Sequence, residues 1–180
     1  MKNLYSRLIL KFIYLWLLAA SFYISAQFSI VPFTKERDKQ AVITIIQDDW
    51  NKLFTLPRFN QNIVDRMLEH QHPGDMAHHT KHLTIAVLYD EERLVGFITY
   101  YYTNASTSNI ELLAIDKNYR SKGYGKKLIE YVMREVRSQG VNAIQLYVYT
   151  SNQSALQFYT HLGFSIKGTI PGCFLLSKSI

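Results

Sequence analysis

The chain has 180 residues, 48% of them hydrophobic, which is ample for one globular domain with its own core. The formal charge is +6, but Lys2, Arg7 and Lys11 precede the first acid, Glu36, so the remainder carries only +3, too mild a surplus to imply nucleic acid. A single cysteine, Cys173, excludes an internal disulfide framework and a Cys-based metal cluster, and its expected place is inside a strand.

Residues 1–26 differ from the rest. A positive start leads into Phe12 to Ile24, about thirteen mostly apolar residues, and then Ser25-Ala26-Gln27, a small-residue cleavage pattern. The segment reads as a signal peptide. An uncleaved membrane anchor is the alternative, since a span needs about twenty apolar residues and counting from Leu8 across Lys11 nearly reaches that. The charge order predicts that the domain of residues 27–180 lies outside the cytosol.

After the leader, Phe28 to Phe33 reads as a strand and Lys35 to about Phe54 as a helix, with Val42, Ile45 and Ile46 at helical spacing. Pro57 interrupts it, and a second helix is expected from Asn60 to about His70. Five of the six histidines, His70, His72, His78, His79 and His82, follow in one segment. Pro73 and Gly74 break any helical spacing among them and no matched carboxylate pair accompanies them, so a polar loop is favoured over a metal site. Leu83 to Tyr89 and Leu94 to Thr103 read as strands joined by the turn Asp90-Glu91-Glu92. Tyr100, Tyr101 and Tyr102 alternate faces there, so they pack into the sheet and make no base-stacking platform. Asn104 to Asn109 reads as a loop.

A strand from about Ser108 to Asp116 delivers the chain to Asp116-Lys-Asn-Tyr-Arg-Ser-Lys-Gly-Tyr-Gly125 and then to a helix with Leu128, Ile129, Val132, Met133 and Val136 at helical intervals. Gly140 ends that helix, and Ala143 to Thr150 is again a strand. Two closely spaced glycines and the free N–H groups of a first helical turn suit a phosphate, and Lys117, Arg120, Lys122, Lys126 and Lys127 crowd the same turn. No Ser or Thr follows a Gly-Lys pair, which excludes a P-loop, and Leu128 stands where a dinucleotide fingerprint has its third glycine. Strand, helix and strand make two parallel strands with this loop at the carboxyl end of the first, where ligands bind.

Arg120-x-x-Gly123-x-Gly125 after an apolar strand resembles the acetyl-CoA pyrophosphate loop of the GNAT acetyltransferases, and Asn152 to Phe164, with Phe158-Tyr159 and Leu162-Gly163-Phe164, resembles the closing helix of that superfamily. The resemblance implies an α/β fold: a mixed, mostly antiparallel central sheet with one splayed parallel pair, flanked by helices. It implies acetyl-CoA as co-substrate, with Leu113, Ala114 and Ile115 holding the pantetheine arm. The pyrophosphate would lie on Arg120, Ser121, Lys122, Gly123, Tyr124, Gly125 and Lys126, and Asn152 would touch the pantetheine or a water. Tyr159 would be the general acid that protonates the departing thiolate. The acceptor is then a small-molecule or protein amine.

Attack by an amine requires removal of its proton, and an alkylammonium has a pKa of roughly 10. Glu111, on the strand that presents the acetyl group, is the general-base candidate, with an ordinary strand carboxylate paired to a lysine as the alternative. Alternation puts it on the face of Leu113 and Ile115 unless a bulge reverses the strand. The implied function is N-acetylation by direct attack. An exported, non-catalytic CoA-binding or sensory module is the alternative, because acetyl-CoA is cytosolic while the leader points outward. The patterns leave oligomeric state open.

Overall fold

The computed structural model describes residues 28–54, 56–70 and 82–180. The leader and most of the histidine segment, including His72, His78 and His79, lie outside them. Among the described residues no helix is long and apolar enough to cross a membrane, and no group of three side chains is arranged to hold a metal ion.

Among the described residues, seven strands form one sheet. In chain order the elements are β1 (Phe28–Pro32), α1 (Lys35–Asp48), a single helical turn α2 (Trp50–Leu53), α3 (Gln61–Leu68), β2 (Thr84–Asp90), β3 (Arg93–Asn104) and β4 (Thr107–Ile115). They continue with α4 (Tyr124–Ser138), β5 (Ala143–Tyr149), α5 (Gln153–His161), β6 (Ser165–Ile170) and β7 (Cys173–Ser179). The order across the sheet is β1-β2-β3-β4-β5-β7-β6, and β4 with β5 is its parallel pair. The mixed, mostly antiparallel arrangement expected from sequence is the one observed.

Each face of the sheet carries its own core. Ile98, Ile110, Ile115, Ile144, Leu146 and Val148 meet Leu128, Ile129 and Val132 of α4 on one face. Ile85, Val87, Phe97, Leu112 and Ala114 meet Val42, Ile46 and Met67 of the α1–α3 layer on the other. Burying each such side chain contributes about 1.5–3 kcal/mol. Tyr100 joins the first cluster and Tyr101 the second, as strand alternation requires.

Three local details depart from the sequence reading. The helix begun at Lys35 breaks at Asp49, and α2 restarts from it. The expected loop Asn104 to Asn109 is a tight hairpin: β4 begins at Thr107, and the Asn104 side chain accepts from the Ser106 amide at 2.9 Å. Cys173 opens β7 half-buried and is not in the core.

Gly96 on β3 lies against the end of β4. A methyl group there would sit 2.5 Å from Ile115 Cδ1 and 2.9 Å from the Ala114 carbonyl oxygen. Gly96→Ala should therefore destabilise the fold by about 1–3 kcal/mol, read as a lower urea midpoint. An unchanged midpoint would show that β3 and β4 are not packed this tightly.

Candidate functional site

β4 and β5 pair over only four positions, from Thr107 with Ala143 to Ile110 with Leu146, and then diverge. The Leu112 amide donates to Thr99 Oγ1 at 3.0 Å and the Asp116 amide to the Val95 carbonyl at 2.8 Å, both toward β3. By alternation the Leu113 and Ile115 amides face the gap. A cavity of about 460 Å³ occupies it, walled by Leu113, Ala114 and Ile115, by the loop and first turn of α4, by Asn152 and Tyr159 of the α5 segment, and by Asp49, Lys52 and Leu53.

The loop is built for backbone donors. Asp116 caps a short 3₁₀ turn, Lys117–Tyr119, by accepting from the Asn118 amide at 2.9 Å. Ser121 and Gly123 then take left-handed conformations, with φ of 62° and 81°. The Lys127 amide donates to the Gly123 carbonyl at 3.2 Å, so the amides of Tyr124, Gly125 and Lys126 precede the first helical donor, and these residues line the cavity. Gly125 admits α5: a Cβ there would approach Phe158 Cζ to 3.0 Å.

The cations behave differently from the sequence expectation. Lys117 pairs with Asp48 at 3.0 Å, and Lys126 stands 3.7 Å from Glu130. Lys122 lies 4.5 Å over the Tyr119 ring, away from the cavity wall, and Lys127 lies 3.8 Å over Phe28. Arg120 lines the cavity, but its guanidinium bonds to the Asp49 carboxylate and its Nε donates to the Ile115 carbonyl at 3.1 Å. Asp49, only 9% exposed at the C-terminal end of α1 where the helix dipole disfavours an anion, is held by Arg120 and, at 3.4 Å, by Lys52. Backbone amides are thus the groups that could hold an anion here, with Arg120 locking the end of β4 to α1. Sequence reasoning missed Asp49 because nothing local ties it to a loop seventy-odd residues away.

Tyr159 is 8% exposed and lines the cavity between Phe158 and Phe164, whose ring centres lie at 5.0 and 5.6 Å. Burial pushes its phenol well above the usual tyrosine range, and its hydroxyl has no hydrogen-bond partner among the described residues. A buried hydroxyl at a cavity wall, protonated at neutral pH, is equipped to donate. Asn152 caps α5 by accepting from the Ala155 amide at 3.1 Å, which leaves its NH₂ group for a ligand. His161 is exposed, its Nδ1 2.7 Å from the Gln157 carbonyl.

Glu111 is placed by a bulge. Tyr100 pairs with Ile110 and Thr99 with Leu112, so Glu111 is the extra residue. Ile110, Leu113 and Ile115 share the α4 core, whereas Glu111 is close enough to influence Tyr101, a member of the opposite core. The alternation expectation is therefore reversed: Glu111 faces away from Leu113 and Ile115, and it does not line the 460 Å³ cavity.

Comparison with known proteins agrees with this geometry. The Acetyltransferase (GNAT) family profile matches residues 40–164, and the chain belongs to that family. Over 82 residues it is 30% identical to the mycothiol acetyltransferase of Corynebacterium efficiens, and over 53 residues 36% identical to the [ribosomal protein bS18]-alanine N-acetyltransferase of Escherichia coli K12. These matches cover 46% and 29% of this chain, and 28% and 36% of those proteins, so the chain aligns with only about a third of each relative. Among solved structures, the PaiA N-acetyltransferase of Thermoplasma acidophilum in complex with coenzyme A superposes with a TM-score of 0.66 at 17% identity, covering 85% of this chain and 99% of that one. Ard1 of Thermoplasma volcanium gives 0.67 at 21%, covering 86% and 98%.

Acetyl-CoA is the co-substrate of this family, and the cavity has groups that could hold it: β4 amides on the gap side for the amide-bearing arm, helix N-terminal amides for the pyrophosphate, and the Tyr159 hydroxyl, which has no partner among the described residues. Asp49→Ala should free Arg120 from α1 and raise the KM for acetyl-CoA by about tenfold, the equivalent of one charge-assisted hydrogen bond. Lys122→Ala should change it by less than about twofold, since less than half a kcal/mol is expected from a cation stacked away from the wall. The reverse order in steady-state kinetics would contradict the assignment.

Proposed function

We propose that the chain is an N-acetyltransferase that moves the acetyl group of acetyl-CoA directly onto the nitrogen of an amine acceptor. The observation that carries this reading is the buried hydroxyl of Tyr159, without a hydrogen-bond partner among the described residues, on the wall of a cavity that also meets the edge of β4 beyond its pairing with β5. When bound, acetyl-CoA supplies an activated thioester. The Leu113 and Ile115 amides are positioned to hold the arm and draw electron density from the acetyl oxygen. The acceptor nitrogen forms a C–N bond as the C–S bond breaks. Its proton passes through water to the Glu111 carboxylate, and the Tyr159 phenol gives its proton to the departing thiolate, to be replenished from solvent. The relatives named above differ in acceptor, as their names state, while sharing an acetyltransferase activity. The same reading places the catalytic domain on the cytoplasmic side, where acetyl-CoA is available.

Tyr159→Phe keeps the ring and its packing. It should lower kcat by about 10²–10⁴-fold with little change in the acetyl-CoA KM or in thermal stability. Thiol release from acetyl-CoA across a panel of primary amines tests the whole reading: release with at least one amine supports it, whereas tight CoA binding with no release from any of them would make the chain a binding module.

A further inference from the structure

One face of the C-terminal half of the sheet is uncovered by any described element. The α4 core takes Ile144, Leu146 and Val148 of β5 and Leu176 of β7, and the α1–α3 core includes no residue of β5, β6 or β7. On the other face, register places residues in three rows: Gln145, Ser177 and Ser165; Tyr147, Leu175 and Gly168; Tyr149, Cys173 and Ile170. Tyr147 is 51% exposed and Ile170 47%, two of the few large hydrophobic side chains so exposed among the described residues. None of these nine positions carries a charge, in a chain of net charge +6. Lys167 sits in the bulge of β6, outside the rows.

This face borders the divergence of β4 and β5. Tyr147 follows Leu146, the last β5 residue paired with β4, so it stands at the mouth of the gap. The β4 bulge turns Glu111 to the same side of the sheet, and Tyr101 feels both Glu111 and Tyr147 electrostatically. An apolar, aromatic shelf therefore ends at a carboxylate beside the strand edge that presents the acetyl group. An acceptor laid on it would meet a negative charge at one end and uncharged, mostly apolar surface along the rest. That polarity suits a single ammonium joined to an apolar body. A polyamine or a sugar bearing several amines would find no second anion along the rows.

We infer that the acceptor is a primary amine carried on an aromatic or alkyl body, which lies on the Tyr147–Leu175–Ile170 shelf with its nitrogen at Glu111. The inference rests on the transferase reading for its chemistry but not for its test. Cys173, the chain's one cysteine, lies in the third row and reports on occupancy without turnover. Burial pushes its thiol up, so alkylation is followed by mass spectrometry at mildly alkaline pH.

In the full-length protein, saturating phenethylamine should slow Cys173 alkylation by about fivefold or more, the effect of covering most of a half-buried thiol. Ethylamine, which lacks the apolar body, and phenylacetate, which lacks the cation, should not. As acceptors, phenethylamine should exceed ethylamine in kcat/KM by roughly a hundredfold, as burial of an aromatic ring predicts. Tyr147→Ser, at an exposed position that leaves folding intact, should reduce both the protection and the preference. Equal kcat/KM for the two amines, equal protection by phenylacetate, or a thiol whose labelling no amine alters would each overturn the inference. Protection by phenethylamine without thiol release would keep the shelf and discard the transferase reading; release without apolar preference would do the opposite.

Discussion

The structure depends on a ladder that stops early. Parallel strands normally bond along their shared length, yet β4 and β5 part after Ile110 and Leu146. From there to Ile115 the β4 amides are paired on the β3 side, and on the gap side the Ile115 carbonyl accepts from Arg120 Nε. Backbone groups left without a strand partner are costly inside a protein unless a ligand or water meets them. The divergence thus creates both a cavity and a row of donors, and the chain closes the cavity with α4 and α5 so that the donors face it. The same point in β4 carries the bulge that turns Glu111 to the opposite face. The bulge leaves Glu111 on the face opposite Leu113 and Ile115, which line the cavity.

Charge plays a smaller direct part than the composition suggests. The lysines and arginine around the loop are engaged by Asp48, Asp49, Glu130 or aromatic rings. Beside them the loop offers the cavity its backbone amides, in a geometry fixed by the left-handed Ser121 and Gly123 and by the missing side chain at Gly125. A fixed array of amides need not be reorganised when an anion arrives, whereas a lysine on a flexible stem loses rotamer freedom to bind. Arg120 and Asp49 serve this array by tying the end of β4 to the α1–α2 layer.

Much of the fold was legible because its signals are local. The helical spacing of Leu128, Ile129, Val132 and Val136 gave α4, Asn60 and Asn152 marked helix starts, and the loop motif gave the strand-to-helix turn that holds the cavity. Features set by distant partners were not legible. The Glu111 bulge depends on Thr99 Oγ1, across the β3–β4 hairpin, taking the Leu112 amide, and the fate of Arg120 on a carboxylate in another element. The hairpin at Asn104 to Thr107 looked like a loop because its Ser, Thr and Asn residues make side-chain bonds that serve a two-residue turn as well as a longer one. The insertion of β7 between β5 and β6, which builds the uncovered face, leaves no trace in spacing at all.

The most direct measurement of the central claim is a crystal structure of the full chain with a non-hydrolysable acetyl-CoA analogue. The account predicts pyrophosphate oxygens within about 2.7–3.2 Å of the Tyr124, Gly125 and Lys126 amides, and the arm on the Leu113 and Ile115 amides with its sulfur position beside the Tyr159 hydroxyl. A pyrophosphate held by the Lys122 and Lys126 side chains, with those amides left to water and the β4–β5 gap empty, would contradict it.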